Sequence, residues 1–149
     1  MKHIILAVCL YSAVAASAQT DRTFVKSKLA AERHIPFSSA VRVGDTAYIA
    51  GTTADPDRLA KGLSVENEAA DLMDQVKQSV EKAGMTMDDV VSVQVFCTNL
   101  ELYQSFNSVY SKYFHDDFPA RTFVGASKLL FGARFEVNAI AVAPPKKAK

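Results

Sequence analysis

The sequence predicts an α/β (α+β) domain in which two helices cover one face of a small sheet. Two stretches with apolar residues at helical spacing alternate with short strand-like runs, in the order ββαβαββ. Two helices can cover one face of such a sheet and no more. The opposite sheet face is therefore expected to pack against another subunit.

The first two strands are predicted at Ala40–Val43 and Thr46–Ala50. Gly44-Asp45 separates them, and this pair is typical of a two-residue hairpin turn in which Gly takes a positive φ. Pro56 and Gly62 then indicate an irregular loop before the first helix.

The first helix is predicted from Val65 to Ala83, with Ser64 as its N-cap and Gly84 at its end. Its apolar residues recur at helical spacing: Ala69, Leu72, Met73, Val76, Val80 and Ala83. The second helix follows the same spacing through Leu102, Phe106, Val109, Tyr110, Tyr113 and Phe114.

Three more strands are predicted, at Val90–Thr98, Thr122–Ser127 and Arg134–Val142. In the first of them, alternation places Val91, Val93, Val95 and Cys97 on one face. In the last, the core face is predicted to hold Phe135, Val137, Ala139 and Ala141, and the other face Glu136, Asn138, Ile140 and Val142. That second set is too apolar for solvent and too polar for a dry core, which favours a hydrated subunit interface.

The N-terminal residues predict an exported protein with a flexible segment before the domain, and the C-terminal residues predict a short tail. Residues 1–18 resemble a signal peptide, with Lys2 before an apolar run and cleavage expected after Ala18, which would make the protein periplasmic or secreted. A retained membrane anchor is the alternative. Residues 19–33 are interpreted as a flexible lead, 34–143 as the domain, and 144–149 as a solvated basic tail.

Charge and cysteine content exclude several functions. The chain has 17 Lys and Arg residues against 16 Asp and Glu residues. Lys2 is the only one of these charged residues within 1–18, so removal of that segment leaves 16 of each sign. A neutral domain has no field that attracts nucleic acid or an anionic membrane, so neither partner is expected. Cys97 would remain as a single cysteine, interpreted as buried core. Few histidines and no clustered cysteines argue against a metal site.

Several segments are specific enough to show a resemblance. PARTFV at 119–124 followed by FEVNAIAV at 135–142 resembles the closing signature of the RidA/YjgF family of reactive intermediate deaminases. IPFSSAVRVGDTAYIAG at 35–51 is similar to the family's opening hairpin, and 83–114 to its middle strand and second helix. The resemblance spans roughly residues 33–143.

The resemblance implies a chorismate-mutase-like fold, a homotrimer with clefts between subunits, and hydrolysis of enamines and imines such as 2-aminoacrylate without a cofactor. Arg121 would hold the substrate carboxylate, and Glu136 would orient or activate the attacking water. These types suit the chemistry, because a guanidinium grips a carboxylate through two parallel hydrogen bonds and a carboxylate takes a proton from water. Phe37, Gly51, Phe123 and Asn107 complete the predicted substrate-binding set.

The chain departs from the family pattern at Phe37, Ala50, Thr52-Thr53, Phe123 and Leu130. Phe37 lacks an aromatic hydroxyl that is frequent there, and Phe123 is larger than the usual residue. The alternative function is therefore a trimer that binds small carboxylate metabolites without turnover. Two residue alternatives also stay open: Glu136 as an exposed residue or Arg121's resting partner, and Asn107 as a helix-surface residue.

Overall fold

The computed structural model describes residues 21–26, 31–32, 34–115 and 117–144. The predicted signal peptide and residues 145–149 of the predicted tail lie outside these ranges. Within the described part of the chain, no helix has both the length and the apolar character needed to cross a membrane.

The described strands form one six-stranded sheet with the order β1-β2-β3-β6-β4-β5. Neighbouring strands are antiparallel except β4 and β5, which are parallel because a helical crossover connects them. The strands are β1 Arg22–Val25, β2 Ala40–Val43, β3 Thr46–Thr52, β4 Val90–Cys97, β5 Ala120–Gly125 and β6 Phe135–Val142.

Two principal helices lie on one face of the sheet, α2 at Val65–Lys82 and α3 at Tyr103–Tyr110. The Ser64 side chain accepts a hydrogen bond from the Asn67 N–H at 3.1 Å, and Gly84 follows α2 with φ of 75°, so both predicted helix ends are confirmed. Short 3-10 turns extend α3 on both sides. A one-turn helix, α1 at Pro56–Leu59, lies in the predicted loop and is capped by Asp55.

The predicted core face of the sheet is confirmed. All four core-face residues of β6 are buried, and β4 adds Val93, Val95 and Cys97 beneath the helices. Burial raises the pKa of the Cys97 thiol. A buried thiol with a raised pKa is a poor nucleophile, which agrees with the core role expected for Cys97.

Two expectations about strands were wrong. Val91 is 47% exposed whereas Val90 is buried, because the pairing of β4 with β6 shifts register between Val90 and Ser92. Such a bulge inverts the alternation at one residue. Part of the expected flexible lead also forms a strand, β1, which pairs with β2 from Arg22↔Val43 to Val25↔Ala40. Three of its four side chains are exposed, so it carries little hydrophobic pattern.

A buried carboxylate ties α2 to the start of β6. Glu68 is 1% exposed, and its Oε1 accepts from the backbone N–H groups of Arg134 at 2.5 Å and Phe135 at 3.2 Å. Its Oε2 accepts from Arg134 Nε at 2.6 Å, and the same guanidinium donates to the Leu63 carbonyl. The buried Glu68 carboxylate is tolerated because the two backbone N–H groups and the Arg134 Nε–H all donate to it.

The face of the sheet opposite the helices is open and mixed in character. Phe24 and Tyr48 are 61% and 53% exposed there, and the pairing of Phe24 with Val41 and of Tyr48 with Ile140 aligns these side chains across four strands. Glu136 and Asn138 lie on the same face and are half-buried. This arrangement matches the mixed face expected from the alternation in the last strand.

Candidate functional site

Arg121 lies on β5, at one edge of the sheet and on the helix-covered face. In the parallel pairing of β4 with β5, Arg121 is aligned with Val93, and Phe123 with Val95. Because aligned residues share a face and Val93 and Val95 are core, Arg121 and Phe123 both point toward α3. The edge position leaves Arg121 partly accessible.

Aromatic rings surround the Arg121 guanidinium. Its Cζ lies 4.6 Å from the ring centroid of Tyr110, 5.5 Å from that of Tyr103 and 5.7 Å from that of Phe123. A guanidinium held over ring faces is fixed in orientation, and its N–H groups remain free to donate at their edge. The geometry suits recognition of a planar carboxylate.

One face of α3 supplies the groups around Arg121. Tyr103, Asn107 and Tyr110 are spaced by four and then three residues, which places them in one row along the helix. Arg121 Nη2 donates to Tyr103 Oη at 3.2 Å. A hydrogen bond from Asn107, and secondarily the charge of Arg121, lower the pKa of Tyr103. Asn107 therefore lies beside Tyr103 in the Arg121 cluster.

Tyr110 forms the buried floor of this cluster. Its side chain is 4% exposed, and burial raises its pKa to about 12 despite the opposing charge of Arg121. Its hydroxyl oxygen is the one buried side-chain polar atom without a hydrogen-bond partner among the described residues. Tyr110 therefore stays neutral and provides Arg121 with a rigid ring face.

A cavity of about 420 Å³ opens beside the guanidinium. Its walls combine apolar rings with a few polar groups: Asn107, Tyr110, Ser111, Phe118, Pro119 and Arg121. This is the composition of a small-ligand site, in which apolar surface surrounds a small number of orienting groups. A second cavity, of about 460 Å³, lies beside α2 and includes none of the predicted site residues.

Glu136 lies elsewhere, directly over Gly51 of β3. A Cβ added to Gly51 would overlap Glu136 Oε1, so the absence of a side chain at 51 makes room for this carboxylate. The Ser39 carbonyl accepts a hydrogen bond from the Ala50 N–H at 3.0 Å. Phe37 lies two residues before Ser39, so it is near the end of β3 that contains Gly51. Gly51 and Glu136 thus form a second cluster. Phe37 is 48% exposed and lies near this cluster, at the end of β3.

The two clusters lie on opposite faces of the sheet within one chain. Glu136 is aligned with Phe96, which alternates away from the core residues Val95 and Cys97. Arg121 is aligned with the core face. The idea that Glu136 is Arg121's resting partner within one chain is therefore wrong.

Sequence reasoning missed two members of the Arg121 cluster. Tyr103 received no role, and Tyr110 was interpreted only as core. The usable signal was the spacing of Tyr103, Asn107 and Tyr110 on one helix face. Within the described residues, no group of three or more His, Cys, Asp or Glu side chains is placed to hold a metal ion.

Comparison with known proteins shows one family. The family model described as Endoribonuclease L-PSP matches residues 27–143. A 2-iminobutanoate/2-iminopropanoate deaminase from Dermatophagoides farinae is 32% identical over 125 residues, covering 83% of this chain and 98% of the relative. A RutC family protein from Sulfurisphaera tokodaii is 35% identical over 108 residues, covering 70% of this chain and 86% of the relative.

Solved structures show the same fold. Rv2704 from Mycobacterium tuberculosis, described as a member of the YjgF/YER057c/UK114 family, superposes with a TM-score of 0.73 at 26% identity, over 83% of this chain and 100% of that one. E. coli TdcF with bound serine has a TM-score of 0.68 at 26% identity, over 73% of this chain and 89% of that one. The expected chorismate-mutase-like α+β fold is confirmed.

Proposed function

The chain belongs to the RidA/YjgF family, and on this premise we propose that it is a hydrolytic deaminase of small enamine and imine carboxylates. Its products would be a 2-keto acid and ammonia, and the chemistry would need no cofactor. The observation that carries the proposal is the Arg121 guanidinium, held among three aromatic rings beside an open cavity. Relatives named as 2-iminobutanoate/2-iminopropanoate deaminases support this substrate class.

Arg121 would bind the substrate carboxylate through its free N–H groups. A charge-assisted hydrogen bond in a partly apolar cavity is stronger than a neutral one, and two parallel bonds also fix the orientation of the substrate. The serine bound in the structure of TdcF is a small amino acid that carries a carboxylate, as the proposed ligands do. The Tyr110 ring would keep the guanidinium plane fixed as the ligand enters.

Glu136 would act on water from a neighbouring subunit. We propose a homotrimer that buries the open sheet face, where Phe24 and Tyr48 are exposed and Glu136 and Asn138 are half-buried. Such a contact brings the Gly51–Glu136 cluster of one subunit toward another chain. Each cleft would then combine Arg121 of one subunit with Glu136 of its neighbour, as a symmetric assembly permits.

The chemical steps follow from this arrangement. Water attacks the imine carbon of the substrate while the Glu136 carboxylate takes a proton from that water. The proton held by Glu136 passes to the imine nitrogen, which gives the carbinolamine. Its C–N bond then breaks as the hydroxyl proton passes to nitrogen, so that ammonia leaves and the carbon becomes the ketone of the 2-keto acid. An enamine substrate first takes a proton at carbon to become the imine.

The second candidate is a trimer that binds small carboxylates without turnover. The separation of Arg121 from Glu136 within one chain favours it, because one subunit can grip a ligand without presenting the carboxylate to it. Under either function, we propose that the protein acts outside the cytoplasm after removal of residues 1–18.

A semicarbazide-trapping assay separates the two functions. An amino-acid oxidase supplies the imines, and active protein lowers the semicarbazone formed. Glu136→Gln should reduce kcat by about 100-fold or more, since loss of a general base costs about 10²–10⁴, while pyruvate binding stays within about twofold. Gly51→Ala should act the same way more weakly, because its Cβ displaces Glu136 Oε1.

Ser108→Ala, on the exposed side of α3, is the control for both variants. Wild-type protein that binds pyruvate but does not accelerate imine loss would support the binding function instead. Full activity of Glu136→Gln would remove Glu136 from the mechanism.

A further inference from the structure

A second polar side chain lies beside the Arg121 guanidinium. Tyr103 lies at the start of α3, is 39% exposed, and its Oη accepts from Arg121 Nη2 at 3.2 Å. Neither the family match nor the predicted site gives this residue a role. Its hydroxyl therefore contacts the guanidinium directly and has no assigned function.

The hydrogen-bonding capacity of this phenol leaves one proton available. A phenol oxygen accepts through its lone pairs and donates one proton. Arg121 Nη2 donates to that oxygen, so this contact occupies a lone pair of Tyr103 and leaves its O–H proton in place. The proton on the Tyr103 oxygen is therefore available for donation to a ligand held by Arg121.

The position of the Tyr103 ring is fixed by packing. Its centroid lies 5.0 Å from that of Phe123 in an edge-to-face arrangement, and the Phe123 ring in turn packs on Phe106 at 5.6 Å. Phe123 is one of the residues at which the chain departs from the family pattern. The larger ring at 123 thus supports Tyr103 beside the guanidinium.

We propose that Tyr103 is a ligand-binding residue, whose hydroxyl proton is donated to a carboxylate oxygen of the 2-keto or 2-imino acid held by Arg121. The inference rests on the proposed function of the Arg121 cavity. One carboxylate oxygen would accept from the guanidinium, and the other would accept from Arg121 and Tyr103 together. Asn107 would be a positioning residue that acts through the Tyr103 oxygen.

The test measures pyruvate binding by calorimetry in wild type, Tyr103→Phe and Tyr113→Phe. Tyr103→Phe should weaken binding about 3- to 10-fold, in the range of one net hydrogen bond. Tyr113→Phe is the matched control, because its hydroxyl bonds Ala70 and Asp74 away from the cavity and its loss should leave pyruvate affinity unchanged.

A second readout distinguishes ligand contact from a structural effect. Phenolate absorbance should show one tyrosine ionising at lower pH than the others, and Tyr103→Phe should abolish that step. Saturating pyruvate should move the step to higher pH, because a carboxylate that accepts the phenol proton favours the neutral form.

The outcomes separate this inference from the function it rests on. Pyruvate binding that requires Arg121 but is equal in wild type and Tyr103→Phe would overturn the role of Tyr103 alone. An unshifted ionisation step at saturating pyruvate would do the same. Absence of pyruvate binding in wild type would overturn the proposed cavity together with this inference.

Discussion

Arg121→Ala is expected to lower kcat/KM for small imino acids by roughly 10- to 1000-fold and to weaken pyruvate binding by a similar factor. A hydrogen bond to a charged group contributes about 1.5–3 kcal/mol, and the substrate charge left unpaired adds to the loss. Arg121→Lys should recover little of the lost activity or binding. An ammonium group cannot form two parallel hydrogen bonds with a carboxylate and is not planar, so it cannot stack on the Tyr110 ring. Calorimetry and the semicarbazide assay measure the two effects.

The control for Arg121→Ala is Lys61→Ala, which removes a positive charge from an exposed loop position. It should leave both measurements unchanged. If Arg121→Ala retains wild-type binding and turnover, the ligand does not occupy this cavity and the assignment of the site is wrong.

Glu68→Ala is expected to cost the largest share of stability, about 3–5 kcal/mol in the free energy of unfolding. The substitution leaves Arg134 Nε and two backbone N–H groups without their acceptor, and it removes the hydrogen bonds that link α2 to the start of β6. Urea unfolding followed by circular dichroism measures the loss, at one fixed protein concentration because subunit association in the proposed trimer would contribute to stability.

Glu66→Ala is the matched control for Glu68→Ala. It lies in the same first turn of α2 but is exposed, so its loss should cost only the helix-terminus interaction, at most about 1 kcal/mol. Equal unfolding midpoints for the two variants would show that the Glu68 contacts contribute no net stability.

Patterns that repeat along the chain made most of the fold predictable. The spacing of apolar residues located both helices, and Ser64 and Gly84 marked the ends of α2, because each acts through local backbone geometry. β1 could not be predicted, since its exposed side chains leave no alternation. The bulge at Val91 arises from the pairing of β4 with β6, which a single strand's sequence does not encode.

The candidate site was predictable only in part. Arg121 and Glu136 came from resemblance, and their placement on opposite faces required the strand pairing. Tyr103 escaped notice because an aromatic residue at helical spacing has the same pattern whether it packs in a core or holds a guanidinium. Only the placement of β5 beside α3 in the folded chain shows which of these two roles Tyr103 has.

The most direct test mixes subunits that carry Arg121→Ala with subunits that carry Glu136→Gln, by unfolding and refolding them together. Each variant alone should be nearly inactive in the semicarbazide assay. Random mixed trimers should recover about a quarter of wild-type turnover, because each cleft of the proposed trimer would combine Arg121 of one subunit with Glu136 of its neighbour. Activity no greater than the average of the two separate variants would contradict a catalytic site shared between subunits.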